Sequence, residues 1–119
     1  MSHDPQLLKG VLSALLLRLL ADRESYGYEL VGRLHTLGLV GIVEGTVYPA
    51  LARLEREGRI SARLIASRSG PARKYYRPTR AGYDALASAT ANWLALADAV
   101  TPTLSRPVPK EPAPPAEEA

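Results

Sequence analysis

Between Glu44 and Arg80 the chain concentrates the side chains that could hold a polyanion. Over residues 53–80 nine basic residues, Arg53, Arg56, Arg59, Arg63, Arg68, Arg73, Lys74, Arg77 and Arg80, stand against only Glu55 and Glu57, a local excess of +7. The whole chain of 119 residues carries 15 basic and 12 acidic groups, a net charge of +3, so the basic character is local. Such a stripe is the electrostatic footprint of a nucleic-acid binder, because cations that pair with phosphates release condensed counterions. The competing reading is a merely soluble surface.

Other chemistries lack their groups. With no cysteine there is no disulfide, thiolate nucleophile or cysteine metal site, which fits a reducing cytoplasm. The histidines, His3 and His35, are too few for a metal centre, and one is terminal. No carboxylate pair, no nucleophile beside a base and no glycine-rich phosphate loop emerges. The expectation is a non-enzymatic protein with no cofactor and no metal.

The cations must be presented by a helix. Val47, Leu51 and Leu54 recur at helical spacing and form one buried stripe. Opposite lie Gly45, Pro49, Ala52, Arg53 and Arg56, with Thr46 and Tyr48 on the flanks, a face that is small at one end and cationic at the other. Tyr48, off the apolar stripe, is better placed for a phosphate contact than for the core. Pro49 is tolerable only near a helix start, so the helix begins at 44–46, capped by Glu44 or Thr46, and stops at Gly58.

Upstream, Leu7 to Leu20 predicts one buried helix with Leu8, Val11, Leu12, Leu15 and Leu19 inward. Lys9 and Arg18 interrupt it well short of a membrane span, and no basic segment precedes it as in a signal sequence. Ser25 is a candidate N-cap for a helix over Tyr26–Leu37, with Leu30, Leu34 and Leu37 inward and Gly27 marking a close approach. Gly38 and Gly41 bracket a short turn into the 44–58 helix. Two helices so joined, the second with a basic outer face, are the plan of a helix-turn-helix.

Downstream, Ile60 to Ala66 alternates as a half-buried strand and Arg73 to Pro78 is a second, with Tyr75 and Tyr76 on opposite faces. Ser67 to Ala72 reads as the loop between them. A hairpin bearing Arg68, Arg73 and Lys74 directly after a helix-turn-helix makes a winged helix, whose wing reaches the DNA backbone or minor groove. The fold class expected is therefore α+β, mainly α: a winged helix-turn-helix over residues 1–78. Thr79 caps a helix over Arg80–Val100, in which Leu86, Trp93 and Val100, and Gly82, Ala89 and Leu96, repeat every seven residues as in a dimer seam. That helix, residues 79–101, is the expected dimerisation element. Residues 102–119 hold six of the ten prolines and read as a disordered tail.

The run Gly45-Thr46-Val47-Tyr48-Pro49-Ala50-Leu51-Ala52-Arg53-Leu54-Glu55 resembles the PadR family of bacterial transcription regulators. Tyr26-Gly27-Tyr28-Glu29-Leu30 before it, Gly58-Arg59-Ile60 after it, and Lys74-Tyr75-Tyr76-Arg77-Pro78-Thr79-Arg80-Ala81-Gly82 carry the same resemblance. It implies a homodimeric winged-helix repressor of the short branch, with a single C-terminal helix. By that pattern Gly45, Thr46, Tyr48 and Pro49 present the helix start to DNA. Base-edge bonding falls to Arg53 or Arg56, and Arg68, Arg73 and Lys74 add wing contacts. Some short relatives stack flat aromatic compounds on a tryptophan in the last helix; Leu86, Ala89, Trp93, Leu96 and Val100 are the corresponding effector or dimer positions, with a plain interface anchor as the alternative for Trp93. The implied partners are double-stranded DNA, a second copy and a small aromatic effector, and no membrane. The alternative function is a winged-helix module for protein-protein interaction.

Overall fold

A computed structural model describes residues 4–117 of the chain. His3 and the last two residues of the tail lie outside the described residues.

The apolar run from Leu7 does not form one helix. Helix α1 (Pro5–Lys9) starts under Asp4, whose carboxylate accepts from the Gln6 amide at 2.8 Å, and stops at Gly10. Helix α2 (Leu12–Asp22) then restarts the chain after Val11. Glycine in a helix interior costs about 1 kcal/mol relative to alanine, and the break lets α2 turn Leu12, Leu16, Leu17, Leu19 and Leu20 into the core. Leu8 and Leu15, both half-buried, pack against that core as expected, while Val11 is half-buried and Leu7 is open to solvent.

Ser25 is not a helix cap. Ser25 and Tyr26 form a two-residue strand, β1, which pairs antiparallel with the wing through Ser25↔Tyr76 and Tyr26↔Tyr75. The fully buried Ser25 hydroxyl accepts from Arg33 Nη1 at 2.8 Å, and the same guanidinium reaches the Arg23 carbonyl at 3.2 Å. Burial pushes the Arg33 guanidinium below its ordinary pKa. Helix α3 (Gly27–Thr36) follows, with Leu30 and Leu34 buried. Leu37 falls just past its end and is exposed, contrary to the expected inward position. Gly38, at φ +99°, turns the chain, and the Leu39 amide reaches back to the Leu34 carbonyl at 3.1 Å. His35 Nε2 donates to the Ile42 carbonyl at 2.6 Å and clasps the connection to the next helix.

Helix α4 (Glu44–Arg56) buries Val47, Leu51 and Leu54 completely, as the stripe requires. Neither Glu44 nor Thr46 caps it: Val43 holds the N-cap position with extended backbone and no side-chain bond, and both residues lie within the first turn. There the Glu44 carboxylate faces the positive end of the helix dipole. Gly58, at φ +74°, ends the helix, with the Arg59 amide on the Leu54 carbonyl at 2.9 Å.

Strands β2 (Ile60–Ser67) and β3 (Gly70–Pro78) form the wing, and the sheet order is β1-β3-β2. The hairpin is longer than its sequence implies, because pairing continues to Ser67↔Gly70 across an irregularity near Ile65, leaving Arg68 and Ser69 as the turn. Only the base of β2 alternates into the core, through Ile60 and Ala62. Leu64 is 72% exposed because the wing projects beyond the helices there. Tyr76 is buried, and Tyr75 meets Tyr26 edge-on at 5.2 Å.

Helix α5 (Arg80–Leu104) is capped by Thr79, whose Oγ1 accepts from the Gly82 amide at 3.1 Å and donates to the Gly58 carbonyl at 2.6 Å. Gly82 lies so close to the Arg59 carbonyl that a β-carbon there would overlap it. Ala85 and Leu86 pack on the core against α2; beyond them the helix leaves the domain and runs past Val100 to Leu104, with Pro102 in its last turn.

A candidate nucleic-acid interface on helix α4 and the wing

Burying Val47, Leu51 and Leu54 turns the opposite side of α4 outward: Gly45, Thr46, Pro49, Arg53 and Arg56 are all exposed. Tyr48 is 44% exposed, its ring lying over the Gly27 backbone, where no side chain intervenes. Burial first, then the Glu44 carboxylate, holds its phenol above the ordinary tyrosine value, so the hydroxyl stays a neutral donor. Gly27 is thus the close approach read from its sequence position. Arg53 reaches toward Ser13 Oγ at 3.4 Å and Glu57 at 3.9 Å, and its side chain remains 60% exposed.

The wing cations divide into two kinds. Arg68 stands at the exposed turn, while Arg73 sits 4.5 Å over the Tyr26 ring, a cation–π contact that holds its stem against β1. Lys74 is tied back to helix α4 by a 2.7 Å ion pair with Glu55, and that hydrogen bond raises its pKa. The Lys74–Glu55 pair therefore joins the wing base to the C-terminal half of α4, and so partners one wing cation. Sequence reasoning missed the Arg73–Tyr26 contact and two carboxylate partners. Glu24 accepts two bonds from Arg63, at 2.9 and 2.7 Å, and Glu55 accepts from Lys74. Both pairs join residues far apart in the chain, and no local spacing announces them.

The second group of residues singled out lies elsewhere, on α5. Leu86 is half-buried against its own core and Ala89 is half-buried, whereas Trp93, Leu94, Leu96 and Val100 are 52%, 55%, 58% and 38% exposed. Among the described residues no group of acidic or histidine side chains is arranged to hold a metal, and no helix is long and apolar enough to cross a membrane.

Residues 16–88 match the transcriptional regulator PadR-like family. The chain belongs to that family. A PadR-like transcriptional regulator of Bacillus cereus is 38% identical, with a TM-score of 0.76 over 83% of this chain and 96% of that one. An uncharacterized protein of Lysinibacillus sphaericus is 33% identical over 89 residues, 73% of this chain and 82% of that protein. Bacillus subtilis PadR, solved in complex with operator DNA, shares the fold at 23% identity and a TM-score of 0.59, over 92% of this chain and 52% of that one. The PadR-like fold places the helix-turn-helix in α3 and α4 and the wing in β2 and β3.

Proposed function

We propose that this PadR-like chain is a homodimeric repressor that binds a near-palindromic operator in the cytoplasm through α4 and the wing. The observation that carries the reading is the exposed face of α4, where Thr46, Tyr48, Pro49, Arg53 and Arg56 lie next to a wing bearing Arg68, Arg73 and Lys74. A helix about 10–12 Å across fits the major groove. Arg53 and Arg56 are the base-edge readers, the helix start with Gly45 sets the approach, and the wing cations hold phosphates. Residues 1–78 are the DNA-binding unit in this reading.

Dimerisation through α5 is the second part of the proposal. Trp93, Leu94, Leu96, Val100 and Leu104 expose a run of large apolar side chains on one projecting helix, more than an isolated soluble chain ordinarily leaves uncovered. A second copy brings two wings to bear on two half-sites, and Trp93 at the seam offers a stacking surface for a small aromatic effector that releases the operator. The tail takes no part; it begins after Leu104, because the helix carries residues 102–104 that the proline count assigns to it.

A gel shift against the promoter region of its own operon tests the function. Retardation that weakens steeply as salt rises is expected, since counterion release follows phosphate contacts. No retardation at low salt assigns the winged helix to protein-protein contacts instead.

A further inference from the structure

The break between α1 and α2 opens a cleft of about 450 Å³ against α4. Its walls are apolar: Leu8 and Leu12 on one side, Ile42 and Ala50 on the other. Its rim is cationic, formed by Lys9, Arg53 and Arg56, and no carboxylate lines it. Among the described residues neither Lys9 nor Arg56 has a carboxylate within ion-pair distance. Arg53 leans across the opening to Ser13 at 3.4 Å, and its Nε keeps only a long 3.9 Å contact with the Glu57 carboxylate, which lies outside the lining, so most of its five donors are unused.

We propose that this cleft binds a small amphipathic organic anion, an apolar body with one carboxylate-type head, and that the anion competes with DNA for Arg53 and Arg56. The competition rests on the operator-binding reading above; the site itself does not. The volume lies in the range of small-molecule sites. The charge selects the sign of the ligand. A bare phosphate would leave the leucine walls wet, and an alkyl cation would meet three like charges; an apolar acid satisfies both surfaces, with a bidentate guanidinium bond at its head. Because Thr46, Pro49, Arg53 and Arg56 line both this cleft and the surface assigned to DNA, the two ligands exclude one another, and each weakens the other in proportion to its own free concentration over its own Kd.

The test uses octanoate, with octylammonium and octanol as matched probes, titrated into the full chain and followed by backbone amide shifts. Octanoate is expected to saturate, with shifts over residues 8–13 and 41–53, while octylammonium causes none. Arg53→Gln with Arg56→Gln weakens octanoate by about tenfold or more, and Lys9→Gln by about threefold, as lost charge-assisted bonds require. In fluorescence anisotropy with a retarded promoter fragment, octanoate at its own Kd raises the apparent Kd for DNA about twofold for each reading head engaged, about fourfold for a dimer on two half-sites. Equal binding of octylammonium, shifts confined to the surroundings of Trp93, or octanoate affinity that falls as protein concentration rises, as when a second copy fills the cleft, each overturns the site. Saturation with no effect on bound DNA overturns the competition. Octanoate binding by a chain that retards no DNA keeps the site and removes the operator reading, so the two fail separately.

Discussion

The ring of Tyr48, on α4, lies over the backbone of Gly27, the first residue of α3, closely enough that a β-carbon at position 27 would overlap it. The atoms in the way are the far edge of a half-exposed side chain, so Gly27→Ala is expected to displace the ring rather than break the fold. Alanine also favours the helix by about 0.5–1 kcal/mol, and the unfolding midpoint should move by only a few degrees. DNA affinity should nonetheless fall severalfold, and Tyr48→Ala should reproduce that fall. Anisotropy on both variants checks this; full affinity in either removes Tyr48 from the interface.

Gly82 is the opposite case, because the group in the way is the Arg59 backbone carbonyl, which cannot swing aside. Gly82→Ala should destabilise by about 1–3 kcal/mol as an overpacked site does. The midpoint, followed by circular dichroism, should drop by roughly 4–8 °C for each kcal/mol lost. Thr79→Val removes the cap of α5 and the bond to the Gly58 carbonyl and should cost about 1 kcal/mol.

Glu55 holds Lys74 away from solvent partners. Glu55→Gln frees that ammonium, so affinity for DNA should rise and the slope of log K against log salt should steepen by about 1. Stability should change by less than about 1 kcal/mol, since the pair is on the surface. A weaker complex would show instead that the carboxylate is needed to aim the wing.

The pairing of Glu24 with Arg63 gives a signed pH dependence. The hydrogen bonds from Arg63 hold the Glu24 carboxyl below the ordinary carboxylate value, so its contribution to stability is complete at neutral pH and is lost as pH falls through the lowered value. Glu24→Gln should therefore narrow the difference in unfolding midpoint between neutral and acid solution. Identical acid sensitivity in the variant would place the dependence on other carboxylates.

For assembly, Trp93→Glu places a charge in the proposed seam and should convert a dimer to a monomer in sedimentation equilibrium. An unchanged mass would move the seam away from Trp93.

The sequence made the buried stripe of α4, its glycine stop, the cap at Thr79 and the wing legible, because each depends on neighbours within a few residues. What it hid is non-local. The strand at Ser25 exists because Tyr76 lies 51 positions away to pair with it, and the wing continues through Ser67 and Gly70 because one strand supports the other through residues with weak strand preference of their own. The Leu7–Leu20 run looked continuous because apolar content outweighed the single Gly10, yet the first helix stops at that glycine and the backbone leaves helical geometry at Val11, and Leu8, Lys9 and Leu12 on either side of the break line the cleft beside Arg53. At the candidate interface the residue types were readable, but the partners of Lys74 and Arg73 were not, since Glu55 and Tyr26 approach only through the fold.

If α5 joins two copies as proposed, the C-terminal rod acts as a caliper. Helix α5 is 25 residues long, about 37 Å at 1.5 Å per residue, and Thr79 and Gly82 fasten its first turn directly to the end of α4. In the proposed dimer the gap between the two reading heads is then set by rod length rather than by a slack tether. One residue inserted ahead of Trp93 would swing the far half by about 100°, so a change distant from any phosphate would alter which half-site separation the pair can span.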